Sequence, residues 1–285
     1  EAIKSRGKIK KEGLVFSLTS KWVLVHFKRC MASLGIYDLH LHELRSFRKS
    51  VFIWTLSLIA LTVVFFALFP ALTKDISETK NLILGFPEAI RNGMGLVLDH
   101  FGTILGYYAF PINFVILVGA IQAMNMGTSV VSKEVRDKTA DFLLTKPVTR
   151  IKILTGKILA VLASLVLTNG IYLFVATLMA RFVSNEPFRF KLFFMISISL
   201  FFVQLIFMSL GILLSVIIPK IKSAVPISLG TVFFFYFINF LCTTASDDVL
   251  RYLTPFKYFD PTYIVEHGSY EPVFILISIA IILVS

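Results

Sequence analysis

Apolar residues fall into long blocks separated by short polar segments, and the blocks are long enough for helices that cross a bilayer, roughly 20 residues each. The first patterned stretch precedes them. From Ile36 to Val51, apolar Ile36, Tyr37, Leu41, Leu44, Phe47 and Val51 share one side of a helix, while Asp38, His42, Arg45 and Lys49 share the other. This predicts an amphipathic helix over 36–50, rich in basic residues such as Arg48 and Lys49, lying in the membrane interface before the first span.

The apolar blocks then predict spans at about 51–72, 101–131, 153–179, 192–218 and 224–242. A last block, 272–285, begins a sixth span that is expected to continue past Ser285. After the first span, Leu82, Ile83, Leu84 and Phe86 give a polar segment its own amphipathic content, and Pro87 opens a helical stretch through Ile90. The second span carries Pro111 and a small-residue stripe, Gly119, Ala123 and Gly127, whose spacing permits close helix contact in lipid. Residues 247–271 form a second long polar segment. The fold class expected is therefore an all-α integral membrane protein with six transmembrane helices.

Between spans two and three the chain is charged. On a helix, Asp137 and Asp141 fall within about 60° of Glu134, and Val135, Thr139, Phe142 and Leu143 occupy the neighbouring arc. Pro147 should end that helix and Thr149 cap the next. Two readings fit an acidic stripe beside an apolar one. The helix plugs into a groove on a partner, or it is a connector whose apolar side rests on the membrane.

Composition agrees with the pattern: 56% of residues are hydrophobic, 29 are phenylalanine and only 16% are charged, too few to cover the surface of a soluble domain of this length. The formal net charge of +11 raises the question of nucleic acid. Its placement answers it: with the N-terminus inside, inside segments hold 20 Lys and Arg and outside segments 8, the footprint of membrane orientation. Residues 1–35 are then a basic cytoplasmic extension, and 51–285 the transmembrane domain. The first 20 residues show no apolar core or cleavage site of a signal peptide. The chain starts at Glu1 without methionine, and Met31 is an alternative natural start. Cys30 and Cys242 make neither a disulfide framework nor a metal-ligand spacing.

Ionisable residues are nearly absent from the span interiors. Lys157, in the first turns of span three, is expected to snorkel to the interface. The remaining polar residues are neutral, chiefly Asn113, Gln122, Asn125, Thr168, Asn169, Gln204 and Asn239, as helix contacts or as lining of a substrate path. An ion-coupled carrier needs a carboxylate or histidine at membrane depth, and none is available. Energy for transport must enter from outside the bilayer. The chain lacks the GxxxxGK[ST] phosphate loop, so nucleotide hydrolysis would belong to a separate subunit. An intramembrane enzyme is disfavoured too, since His26, His40, His42, His100 and His267 all lie outside or at the edges of spans.

At the charged loop a family resemblance appears. Glu134, Asp137-Lys138-Thr139, Phe142-Leu143-Leu144, Pro147-Val148-Thr149-Arg150 and Lys157 resemble the signature of ABC-2 type transporter permeases. Gly85-Phe86-Pro87-Glu88-Ala89 and Thr254-Pro255-Phe256-Lys257-Tyr258-Phe259-Asp260-Pro261 resemble the same family, as does the entry with His42-Glu43-Leu44 and Arg48-Lys49-Ser50. Over 36–285 the resemblance implies an elbow helix around Leu41, Leu44, Phe47, Arg48 and Lys49, and a cytoplasmic coupling helix over Glu134, Val135, Asp137, Lys138, Thr139, Asp141, Phe142, Leu143 and Leu144. It implies a pair of permeases, identical or paralogous, each contacting a cytosolic ABC ATPase that holds ATP and Mg, with no cofactor or catalytic group in this chain. An outer gate is expected at Pro255, Phe256, Tyr258, Phe259, Asp260 and Pro261. Within the family the chain is most similar to bacterial exporters of amphipathic or antimicrobial peptides, including phenol-soluble modulin exporters, in the cytoplasmic membrane with the N-terminus inside. The alternative is an accessory membrane subunit that recruits an ATPase for sensing or resistance without conducting substrate.

Overall fold

A computed structural model describes residues 37–87, 90–91, 102–136, 149–184, 188–218, 221–245 and 251–285, and within these the side chains of 37–45, 133–136, 150 and 243–245 lie outside the description. The elements are α1 (Tyr37–Lys74), α2 (Ile76–Leu84), α3 (Ile104–Arg136), α4 (Arg150–Val183), α5 (Phe190–Ile217), α6 (Ala224–Ala245), a 3-10 turn (Pro255–Lys257), α7 (Pro261–His267) and α8 (Pro272–Val284). The described residues contain no strand. Helix is what a bilayer demands, because only helices and closed barrels satisfy their own backbone where water is absent.

Five of these helices are long and apolar enough to cross a membrane, with apolar stretches over Ser46–Lys74, Ile104–Ser132, Ile151–Val183, Phe190–Ile217 and Ala224–Cys242. Each lies within a few residues of a span expected from the sequence. α8 is apolar but 13 residues long, and packs on α5. Large apolar side chains such as Phe52, Phe174, Phe182 and Phe234 stand exposed on the outside of the bundle, as lipid-facing residues do. The expected boundary near residue 50 is not a break. α1 runs unbroken for 38 residues, about 57 Å, so the 36–50 stretch prolongs the helix of the first span. No glycine or proline occurs between Tyr37 and Phe69 to interrupt it.

α3 is the centre. Two thirds of its apolar stretch (67%) is buried, against 17–50% in the other four spans. It packs most extensively on α5, touches α6 and α1, and α1 in turn packs along α4. The α3–α5 contact is set by the small-residue stripe. A Cβ built on Gly127 would stand 2.2 Å from the Met208 carbonyl oxygen, and one on Gly119 2.4 Å from Leu200 Cδ1. From the other side, a Cβ on Gly211 would lie 2.7 Å from the Met124 carbonyl oxygen and 2.8 Å from the Thr128 nitrogen. Ascending numbers on α3 meet ascending numbers on α5, so the two helices run parallel with their backbones in near contact. Lipid is as apolar as leucine, so such close van der Waals packing, not the hydrophobic effect, holds the helices together.

A larger residue at this contact must displace backbone. Gly127→Leu or Gly211→Leu is therefore expected to destabilise the protein by about 1–3 kcal/mol or more, whereas Gly170→Leu, whose Cβ would meet nothing within 4 Å, should have little effect. Unfolding in mixed micelles measures this, and equal stability of all three variants would contradict the contact.

Candidate functional site

Among the described residues no group of three or more His, Cys, Asp or Glu could hold a metal ion. The chemistry at membrane depth is neutral and hydroxyl- or amide-based, arranged in two layers. In the first, Gln122 Nε2 on α3 donates to Thr168 Oγ1 on α4 at 3.2 Å, and Thr168 and Thr55 Oγ1 on α1 share a bond at 3.1 Å. Gln204 on α5 reaches Gln122 Oε1 with its Nε2 at 3.4 Å, and its own Oε1 accepts from Asn169 Nδ2 at 2.5 Å. Four helices are thus tied at one level. Of the six amide residues singled out from sequence, Gln122, Asn169 and Gln204 are brought together here.

The second layer lies nearer the end of the bundle where α1 finishes. Tyr108 on α3 bonds Tyr172 on α4 at 2.5 Å and Ser197 on α5 at 3.0 Å. Tyr107 donates to the Phe65 carbonyl on α1 at 2.6 Å. Phe66 and Phe193 stack against Tyr108, closing the layer with apolar faces. Sequence reading passed over these tyrosines. Their signal was position: Tyr108 and Tyr172 stand inside apolar runs, where a phenol needs a protein partner, and not at a water interface where tyrosine ordinarily collects.

Asn113 Nδ2 donates to the Ala109 carbonyl one turn back at 2.9 Å, a bond within its own helix. Asn125 and Asn239 are each half-buried. Lys157 corrects an expectation. It does not extend to the interface; it is 4% exposed, with its ammonium donating to the Val130 carbonyl on α3 at 2.8 Å. The charge is turned inward, and this bond ties the end of α3 to the start of α4. Thr149 does occupy the cap position of α4 with extended backbone, but its hydroxyl makes no capping bond.

Of the coupling-helix residues, Glu134 and Val135 lie in the last turn of α3, while Asp137, Lys138, Thr139, Asp141, Phe142, Leu143 and Leu144 fall outside the described residues. Of the elbow residues, Leu41 and Leu44 lie on the backbone of α1, Phe47 is buried, and Arg48 and Lys49 are exposed.

The segment expected as a gate is closely packed. Phe256, Tyr258 and Phe259 are buried, Phe259 stacking on Phe202 at 5.0 Å and Tyr258 on Phe274 at 5.1 Å between ring centroids. Thr254 Oγ1 donates to the Phe235 carbonyl on α6 at 3.1 Å. Asp260 accepts from the Thr262 N–H at 3.0 Å and pairs with Lys257 at 2.7 Å, with Pro261 at the first helical position. Gly268, at φ 67°, closes α7 in the left-handed conformation that favours glycine. Arg251 pairs with Glu271 at 2.5 Å and lies over the Phe274 ring, so both ends of the segment are clasped to each other.

The amide layer makes a quantitative prediction. Gln204→Leu is expected to cost about 1 kcal/mol of stability, since interhelical hydrogen bonds in membranes average ~0.6 kcal/mol and reach ~1.7. Combined with Asn169→Leu it should cost less than the two single changes added; strict additivity in a double-mutant cycle would show that the pair does not interact.

No curated protein matches the chain. A family model described as ABC-2 family transporter protein matches residues 38–266, about four-fifths of the sequence, covering α1 to α7. A multi-pass apolar bundle matched over that length, the chain belongs to the ABC-2 transporter family as a membrane permease subunit.

Proposed function

We propose that this chain is the membrane-spanning subunit of an ATP-driven exporter, moving an amphipathic or hydrophobic substrate, peptide in character, out of a bacterial cell. The observation that supports it most is the lack of an ionisable pathway. Among the described residues Lys157 is the only buried Asp, Glu, His, Lys or Arg, and it is held on a backbone carbonyl. The described spans offer no buried carboxylate or histidine of the kind that usually binds a driving proton or sodium ion, which favours work supplied by a partner. Family membership supplies the kind of partner, a cytosolic ABC ATPase carrying ATP and Mg.

On this reading the N-terminus and the α3–α4 connection face the cytoplasm, following the excess of Lys and Arg on that side. Force enters at Glu134 to Leu144, whose acidic stripe meets the ATPase. The Lys157–Val130 bond then makes α3 and α4 move as a unit. Because α3 is also in backbone contact with α5, the displacement reaches the centre of the bundle. A second permease, identical or paralogous, completes a path between the two subunits. Asn113, Asn125 and Asn239 are, with the other neutral amides, the candidates to line it. The packed segment Pro255–Pro261 would act as the outer gate.

Changing Glu134, Asp137 and Asp141 together to lysine should abolish co-purification with the ATPase while the permease still inserts and unfolds normally. An unchanged pull-down would remove the coupling role. In inside-out vesicles holding permease and ATPase, ATP should drive accumulation of an amphipathic peptide; hydrolysis stimulated by peptide without accumulation would favour an accessory role in recruiting the ATPase. Protease added to intact spheroplasts should leave Pro255–Pro261 uncut, and ready cleavage there would show a flexible loop in place of a gate.

A further inference from the structure

At the end of the bundle where α1 finishes, a cavity of about 790 Å³ opens between the termini of four spans: the last turns of α1 and α4 and the first turns of α3 and α5. Its lining divides into two parts. One is polar, with Lys74, Arg189, Thr73 and Ser184; the other is apolar, with Phe69, Leu105, Val183 and Val265 among its walls. Among the described residues no Asp or Glu lines it; Asp75, at the N-cap of α2, and Glu78 within α2 are not part of the lining. Lys74 and Arg189 are exposed, and among the described residues neither forms an ion pair.

We propose that this cavity binds an anionic phospholipid, the phosphate held between Lys74 and Arg189 and an acyl chain laid along the Phe69–Leu105–Val183 wall. Three features converge on that ligand class. The cavity sits at span ends, the depth at which headgroup phosphates lie. Its polar side offers a guanidinium, whose fork fits phosphate oxygens, and an ammonium as a point charge beside it. Its other side is hydrocarbon-lined, which an inorganic anion could not use and a lipid tail would fill. Scattered interfacial cations also attract anionic headgroups, but they do so without a concave apolar wall, and that wall is what makes this a site. Taking the N-terminus as cytoplasmic, the lipid would belong to the outer leaflet; its binding needs neither the ATPase nor transport.

The test uses the full chain purified in mild detergent, with phosphatidylglycerol or phosphatidylcholine offered in turn and bound lipid read by native mass spectrometry. Phosphatidylglycerol should be retained over phosphatidylcholine, and K74Q/R189Q should weaken that retention about tenfold or more. Val183→Trp, which fills the hollow and changes no charge, should weaken it similarly; Val265→Trp serves if that variant fails to fold. Equal retention by wild type and K74Q/R189Q would overturn the proposal. So would normal retention after the cavity is filled, since diffuse surface charge would then suffice. Glycerol phosphate in excess should not displace the lipid; displacement would assign the site to free phosphate esters instead. Loss of ATPase coupling in the Glu134, Asp137 and Asp141 variant should leave lipid retention intact, which separates this site from the transport reading.

Discussion

A bilayer core holds no water, so every polar group placed there must find its partner in the protein. That constraint organises this molecule more than any single contact. It makes the backbone helical, confines charge to the span ends, and draws most buried amides and hydroxyls to a neighbouring helix or their own preceding turn, Thr128 Oγ1 being an exception. Thr55, Gln122, Thr168, Asn169 and Gln204 meet it by joining four helices at one level, and Tyr107, Tyr108, Tyr172 and Ser197 by joining the same four at another. Each bond is worth little alone, on the order of 0.6 kcal/mol, but a misplaced helix would leave several groups unpaired together. The layers therefore specify register more than they supply stability.

The attraction that draws the helices together comes from elsewhere. Gly119, Gly127 and Gly211 let α3 and α5 approach until backbone meets backbone. This parallel pair is the spine against which α1 with α4, α6, and the segment from the 3-10 turn to α8 are arranged. A spine of this kind suits a protein driven from one end. The Lys157–Val130 bond joins α3 to α4 near the connection that carries the acidic stripe, and the glycine contact joins α3 to α5. Movement introduced at that connection would pass through stiff contacts on either side of α3, whereas the clasp between Arg251 and Glu271 stabilises the segment at 251–271.

The polar residues of the spans were legible in the sequence, but how they are used was not, for physical reasons. Helix contact and path lining could not be separated for the amides by composition, because both uses call for the same neutral groups; geometry placed Gln122, Asn169 and Gln204 on each other. Lys157 was read as snorkelling because its distance from the span end allows it. The structure turned it inward because a carbonyl of α3 lies within reach. The two tyrosines were missed for a similar reason: a phenol counts as half apolar in any pattern, and only its partner reveals the polar half.

Sequence alone determined that the chain lives in a membrane, where five of its spans begin and end, and that carboxylates and histidines are kept out of the span interiors. These follow from block length and from the cost of charge in hydrocarbon, both one-dimensional properties. It also marked the Gly119–Ala123–Gly127 stripe as a face for close contact. Only the tertiary structure decided which helix meets that face, that α1 continues unbroken through the amphipathic entry, and which polar groups pair. Those outcomes depend on the register and direction of helices distant in sequence. Lipid, being equally apolar toward every span, gives the sequence pattern no preference among partners; close packing and hydrogen-bond geometry make the choice.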